Sequence, residues 1–241
     1  MSLAQQTVTF NSTDGLLITA DLYMQDKSQP FMILFHQANF SRGEYRETAP
    51  KFMKFGYNCL AVDLRSGKEV NYIQNETAKR AREKNLPTAY LDAEKDMVAS
   101  INYVKQISKD KIILVGSSYS ASLVLLLSKN LPAVSAVLLF SPGEYFEPAH
   151  NLQKEIIGFN KPIFVSATQQ ELPFVKEMLS GLGESLITWF TPTSGEGIHG
   201  SRALWESSPE NEACWMSLVM FFKELKSFGK VKEDIENKEV K

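Results

Sequence analysis

The stretch from Lys111 to Leu125 constrains this chain more than any other, because its hydrophobic period changes in the middle. Ile112-Ile113-Leu114-Val115 is an unbroken apolar run too short for a helix. Gly116 to Ser120 is a turn of small residues, and Ala121, Leu123, Val124 and Leu125 continue at helical spacing. The pattern predicts a strand, a sharp turn and a helix. Ser118 lies at the apex, with Gly116 two residues before it and Ser120 two after, so backbone can pack close on both sides while the apex side chain is pushed out at the end of a sheet.

Gly116-Ser117-Ser118-Tyr119-Ser120 is close to the Gly-x-Ser-x-Gly nucleophile elbow, with serine in place of the last glycine. On these residues the chain resembles the α/β-hydrolase family of serine hydrolases. The competing reading of the pentapeptide is an ordinary strand-to-helix connection with a serine cap, and the rest of the chain decides between them.

Thr7 to Asn11 and Leu16 to Tyr23 alternate apolar with polar residues around Ser12-Thr13-Asp14-Gly15, a β-hairpin signal. Phe31 to Phe35, Tyr57 to Val62, Val134 to Phe140, Pro162 to Ala167 and Leu186 to Phe190 are further strand-length apolar runs. Between them, helical spacing marks Glu44 to Phe55, Tyr90 to Ile107, the segment after the elbow, a weak helix over 149–158, Leu172 to Ser180 and a closing helix from Glu210 to Ser227. The order predicts an α/β fold: a mostly parallel sheet of about eight strands, opened by the hairpin, with helices on both faces. Residues 5–228 are expected to form one domain, with a polar flap at about 66–89 over the site, and 229–241 a charged, solvated tail.

With 241 residues, 44% of them hydrophobic, the chain can bury a large core. The net charge of -2, with Lys and Arg scattered, excludes the electrostatic footprint of a nucleic-acid binder. No apolar run approaches the roughly 20 residues of a membrane span. Met1-Ser2-Leu3 looks like a vector remnant, and Ala4 would be the first residue after a removed signal peptide, so the compartment stays open between cytoplasm and export. Cys59 and Cys214 read as buried free thiols, and no Cys or His pair has metal-ligand spacing.

A serine hydroxyl is a weak nucleophile and needs a histidine base and a carboxylate to orient it. Of three histidines, His199 lies in the glycine-flanked loop Ser194 to Ser201 after the last strand, where the resemblance implies the base. Laying the family pattern on Pro162 to Glu171 implies Glu171 as the acid, with Glu144 the alternative. His36-Gln37 resembles the dienelactone hydrolase-like and peptidase-like branches. The resemblance implies that the Gln37 and Tyr119 amides hold the oxyanion, with His36 shaping the loop and Asp63 and Arg65 tying loops together. His150 reads as a surface residue. Phe40, Tyr45, Tyr119, Tyr145 and Phe146 are candidates to line the substrate pocket. The implied activity is hydrolysis of a carboxylic ester, thioester or lactone of a small-molecule acyl substrate, without a cofactor. The alternative is a non-catalytic binding protein on the same scaffold.

Overall fold

The computed structural model describes the backbone of residues 5–239 and the side chains of residues 5–225. The proposed vector remnant and the side chains of the charged segment from 229 onward lie outside the described residues. Strands β1 (Gln5–Asn11) and β2 (Leu17–Tyr23) form the antiparallel hairpin. They join β3 (Phe31–Phe35), β4 (Asn58–Val62), β7 (Ile112–Ser117), β8 (Val134–Phe140), β9 (Ile163–Ser166) and β10 (Ile187–Phe190) in one eight-stranded sheet. Its order is β1-β2-β4-β3-β7-β8-β9-β10, parallel from β4 onward. This is the mostly parallel α/β sheet that the apolar runs predict. Two short strands, β5 (Glu69–Val70) and β6 (Ile73–Gln74), pair by themselves in the flap segment, where the sequence gives no strand pattern.

Each central strand feeds two cores because successive side chains point to opposite faces. Phe31, Ile33 and Phe35 of β3 enter one hydrophobic layer, and Met32 and Leu34 the other. The first layer is covered by α3 (Glu94–Ile107), α4 (Tyr119–Lys129) and α6 (Leu172–Leu179), the second by α1 (Ala49–Lys54) and α7 (Asn211–Glu239). Full burial of a Leu, Ile or Phe side chain contributes about 1.5–3 kcal/mol, so these two layers carry most of the fold's stability. Continuous apolar runs, rather than alternating ones, follow from burial on both faces.

The expected helix from Glu44 to Phe55 is instead a 3-10 turn, Arg42–Tyr45, followed by α1. Pro50 is the reason: it has no N–H to donate back into a preceding turn, yet it suits the first turn of a new helix. The chain runs from β3 outward to β4, then returns across β3 to β7. The loops that follow β3 and β7 therefore leave the same end of neighbouring strands. Phe35 pairs with Gly116 at that point, where the strand order reverses, the position at which open α/β sheets bind their ligands.

Candidate active site

Ser118 stands between β7 and α4 with φ 59° and ψ -128°, a conformation that costs a non-glycine residue about 1–3 kcal/mol. Three contacts hold it. The Ser118 N–H donates to Phe140 O at 2.7 Å. Gly116 lets the helix approach, since a Cβ there would lie 2.4 Å from Ala121 Cα. Ser120, which replaces the usual glycine, accepts the Ser117 N–H at 2.9 Å and turns its hydroxyl towards Phe35 O at 2.8 Å. The serine thus locks the elbow to β3, which a glycine could not do.

His199 follows β10 in the loop that ends at Gly200. Its Nδ1–H donates to Glu171 Oε1. The other Glu171 oxygen accepts the Ser141 hydroxyl at 2.7 Å and the Thr168 N–H at 3.0 Å. Burial opposes ionisation of Glu171. The hydrogen bonds from His199, Thr168 and Ser141 and the nearby His199 charge outweigh it and hold the carboxyl at about 2, below its ordinary 4.5. Ser141 also accepts the Gly200 N–H at 3.0 Å, so one hydroxyl links Glu171 to the His199 loop. Gly200 is required there: its φ is 74°, and a Cβ would fall 2.4 Å from Gln37 Oε1 and 2.5 Å from Ser117 Oγ. The Tyr145 phenol donates to Ser141 O at 3.1 Å, and among the described residues the Ser118 side chain makes no hydrogen bond with His199.

One expected oxyanion donor is corrected. The Gln37 N–H donates to Glu44 Oε2 at 2.7 Å and is not free for a substrate. The next N–H along the loop, that of Ala38, has no acceptor among the described residues. The Tyr119 N–H opens α4 and has no acceptor within the helix. His36 is fully buried: Nδ1–H donates to Gln37 O at 2.8 Å and Nε2 accepts the Leu64 N–H at 2.9 Å. Burial, against these two bonds, lowers its pKa to about 4, so the ring is neutral and braces the loop.

The remaining candidates divide. Glu144 is exposed, and its carboxylate accepts the Leu152 and Gln153 N–H groups at 2.8 and 2.9 Å, capping α5 (Leu152–Glu155), and makes no hydrogen bond with a histidine among the described residues. Tyr45, expected in the pocket, lies in the second core with its phenol on Phe35 O at 2.7 Å, and Phe146 is buried in the first. Apolar neighbours on other segments draw both inward. The Tyr119 phenol meets the Ser66 hydroxyl at 2.5 Å and its ring stacks on Tyr90. Phe40 stacks on Trp205, and the Tyr145 phenol donates to Ser141 O, the residue that also binds Glu171. Asp63 binds Arg42 and the Glu76 N–H, Arg65 binds Asp14 and Asp96, and His150 pairs with Glu155 near the surface. Sequence reasoning missed Glu44, Ser117 and Ser141, whose partners lie far off in the chain. Among the described residues no group of three His, Cys, Asp or Glu side chains is arranged to hold a metal ion, and no helix is long and apolar enough to cross a membrane.

A serine on a strained strand-to-helix elbow, at the carboxyl end of this sheet order, defines an α/β-hydrolase fold. The chain belongs to the dienelactone hydrolase family, which its residues 18–189 match, and is a hydrolase acting on ester bonds. Solved structures share the fold at low identity. The Pyrococcus furiosus esterase Pf2001 superposes with a TM-score of 0.70 at 16% identity, over 92% of this chain and 93% of that one. The esterase domain of a Rhodothermus marinus protein gives 0.62 at 14% identity, over 93% and 99%. The acylaminoacyl peptidase of Pyrococcus horikoshii gives 0.61 at 13% identity, over 93% of this chain and 42% of that one. No curated protein sequence matches the chain.

Proposed function

We propose that the protein cleaves a carboxylic ester, or a related thioester or lactone, through an acyl-enzyme intermediate on Ser118. The observation that carries the reading is the conjunction of Ser118 on its elbow with His199 held by Glu171. Ser118 gives its proton to His199 Nε2 and attacks the acyl carbon. Glu171 stabilises the imidazolium through Nδ1–H, and the Tyr119 and Ala38 amides receive the oxyanion. Loss of one such donor costs about 3 kcal/mol in transition-state stabilisation. His199 then passes the proton to the leaving oxygen or sulfur, and a water deprotonated by the same histidine releases the acid. Residues 5–228 act as one unit, with 66–89 as a flap. The flap reading is supported by the Ser66 contact with Tyr119 and by Asn75, which starts α2 (Glu76–Glu83) and donates to Leu64 O at 2.8 Å.

A fluorophosphonate probe tests this directly. Wild type is expected to label and Ser118→Ala not to. A folded wild type that stays unlabelled would favour a ligand-binding role for the scaffold instead. Aryl esters of increasing acyl length would then report the depth of the pocket.

A further inference from the structure

Glu44, in the 3-10 turn Arg42–Tyr45, carries a fully buried carboxylate that the triad chemistry does not use. Its oxygens collect donors from three separate segments of the chain. Oε2 accepts the Gln37 N–H at 2.7 Å, next to the Ala38 amide. Oε1 accepts the hydroxyl of Ser117, the neighbour of the nucleophile, at 2.7 Å, and that of Ser201, two residues beyond His199, at 2.6 Å. The Ser201 N–H donates in turn to Ser117 Oγ at 2.9 Å. None of these donors is charged, and desolvating a carboxylate among neutral partners costs several kcal/mol. The Gln37 N–H must donate, and Ser117, having accepted from Ser201, has its own proton to give. The network therefore suits the anion.

We propose that ionised Glu44 is the positioning residue that holds the oxyanion loop, the nucleophile and the base loop in mutual register, so that its protonation uncouples them and lowers turnover in acid. The inference rests on the reading of Ser118 and His199 as nucleophile and base. The titratable groups facing Glu44 are His199, whose charge favours the anion, and the Tyr45 and Tyr119 phenols, which burial keeps neutral. Burial raises the Glu44 pKa against its three hydrogen bonds. As pH falls, protonation thus begins nearer neutrality than for an ordinary glutamate, and activity that needs the anion is present above that pKa and lost below it.

The test compares wild type, Glu44→Gln and the double variant Ser117→Ala/Ser201→Ala, using p-nitrophenyl acetate turnover and the fluorophosphonate labelling rate across pH, with thermal melts to confirm folding. In Glu44→Gln an amide nitrogen faces either the Gln37 N–H or the two hydroxyls, so both the kcat and the labelling rate should fall about 100-fold, as misplacement of reacting groups does, with KM little changed. The acid limb should fall with two ionisations in wild type and one in Glu44→Gln. The double variant, which keeps the carboxylate but removes two of its links, should lose about tenfold, and it decides the matter should Glu44→Gln fail to melt cooperatively. A folded Glu44→Gln or double variant with wild-type kcat and an unchanged acid limb overturns the proposal. A wild type inert to both probes would sink the Ser118 reading and this inference with it, whereas an active wild type with an indifferent Glu44→Gln sinks only the inference.

Discussion

A carboxylate orients an imidazole only by hydrogen-bonding to it, and that separates the two acids offered by the sequence. Glu171 is held at about 2 by His199, Thr168 and Ser141 against its burial, whereas both Glu144 oxygens are occupied in capping α5. If Glu171 is the acid, Glu171→Gln should lower kcat by roughly 10²–10⁴-fold, since the amide no longer fixes the tautomer. Glu144→Gln should leave turnover nearly unchanged and cost about 1 kcal/mol of stability through the weakened cap. Equal losses in steady-state turnover would refute the assignment. The pH dependence follows in sign: a folded pKa depressed from 4.5 means that the orienting charge is fully present above about pH 4.5 and is lost only as pH falls through about 2. An acid limb at milder pH therefore does not report Glu171.

At the scale of the element, the elbow was legible because everything that makes it is local: a strand run, a small-residue turn and a helical run within fifteen residues of chain. The reason for serine at position 120 was not legible, because its hydroxyl partner, Phe35 O, is 85 residues away. Ser120→Gly restores the commoner motif, yet it should destabilise the protein by about 1–2 kcal/mol, through a lost buried hydrogen bond and a more flexible helix start. Urea unfolding measures this, and a variant at least as stable as wild type would show the hydroxyl to be dispensable. The 3-10 turn and α1 teach the converse: the spacing from Glu44 to Phe55 suggested one helix, and Pro50, already visible in the sequence, divides it.

Across the whole molecule, Arg65 joins segments that no short-range pattern connects. Its fully buried guanidinium binds Asp14 in the hairpin turn at 2.7 Å and Asp96 on α3 at 2.7 Å, while its own N–H donates to Asp96 at 2.8 Å. Arg65→Met would leave the Asp96 carboxylate buried without its cation, a loss of about 3–5 kcal/mol and, for a chain of this size, a Tm lower by roughly 6–20 °C. Adding Asp96→Asn should recover much of the loss. A single variant that melts with wild type would show that the pair contributes specificity rather than stability.

The sequence by itself determined the order of strands and helices, the elbow serine and the glycine-flanked histidine loop, because hydrophobic period and turn chemistry are read within a few residues of each other. Only the tertiary structure decided that the Gln37 amide is taken by Glu44, that Tyr45 and Phe146 belong to the core, and that Ser141 and Ser117 brace the site. Those facts depend on which polar groups meet when distant segments close together. Glu44 and Ser201 are 157 positions apart, and the need to satisfy a buried carboxylate acts only once the fold has excluded water from it.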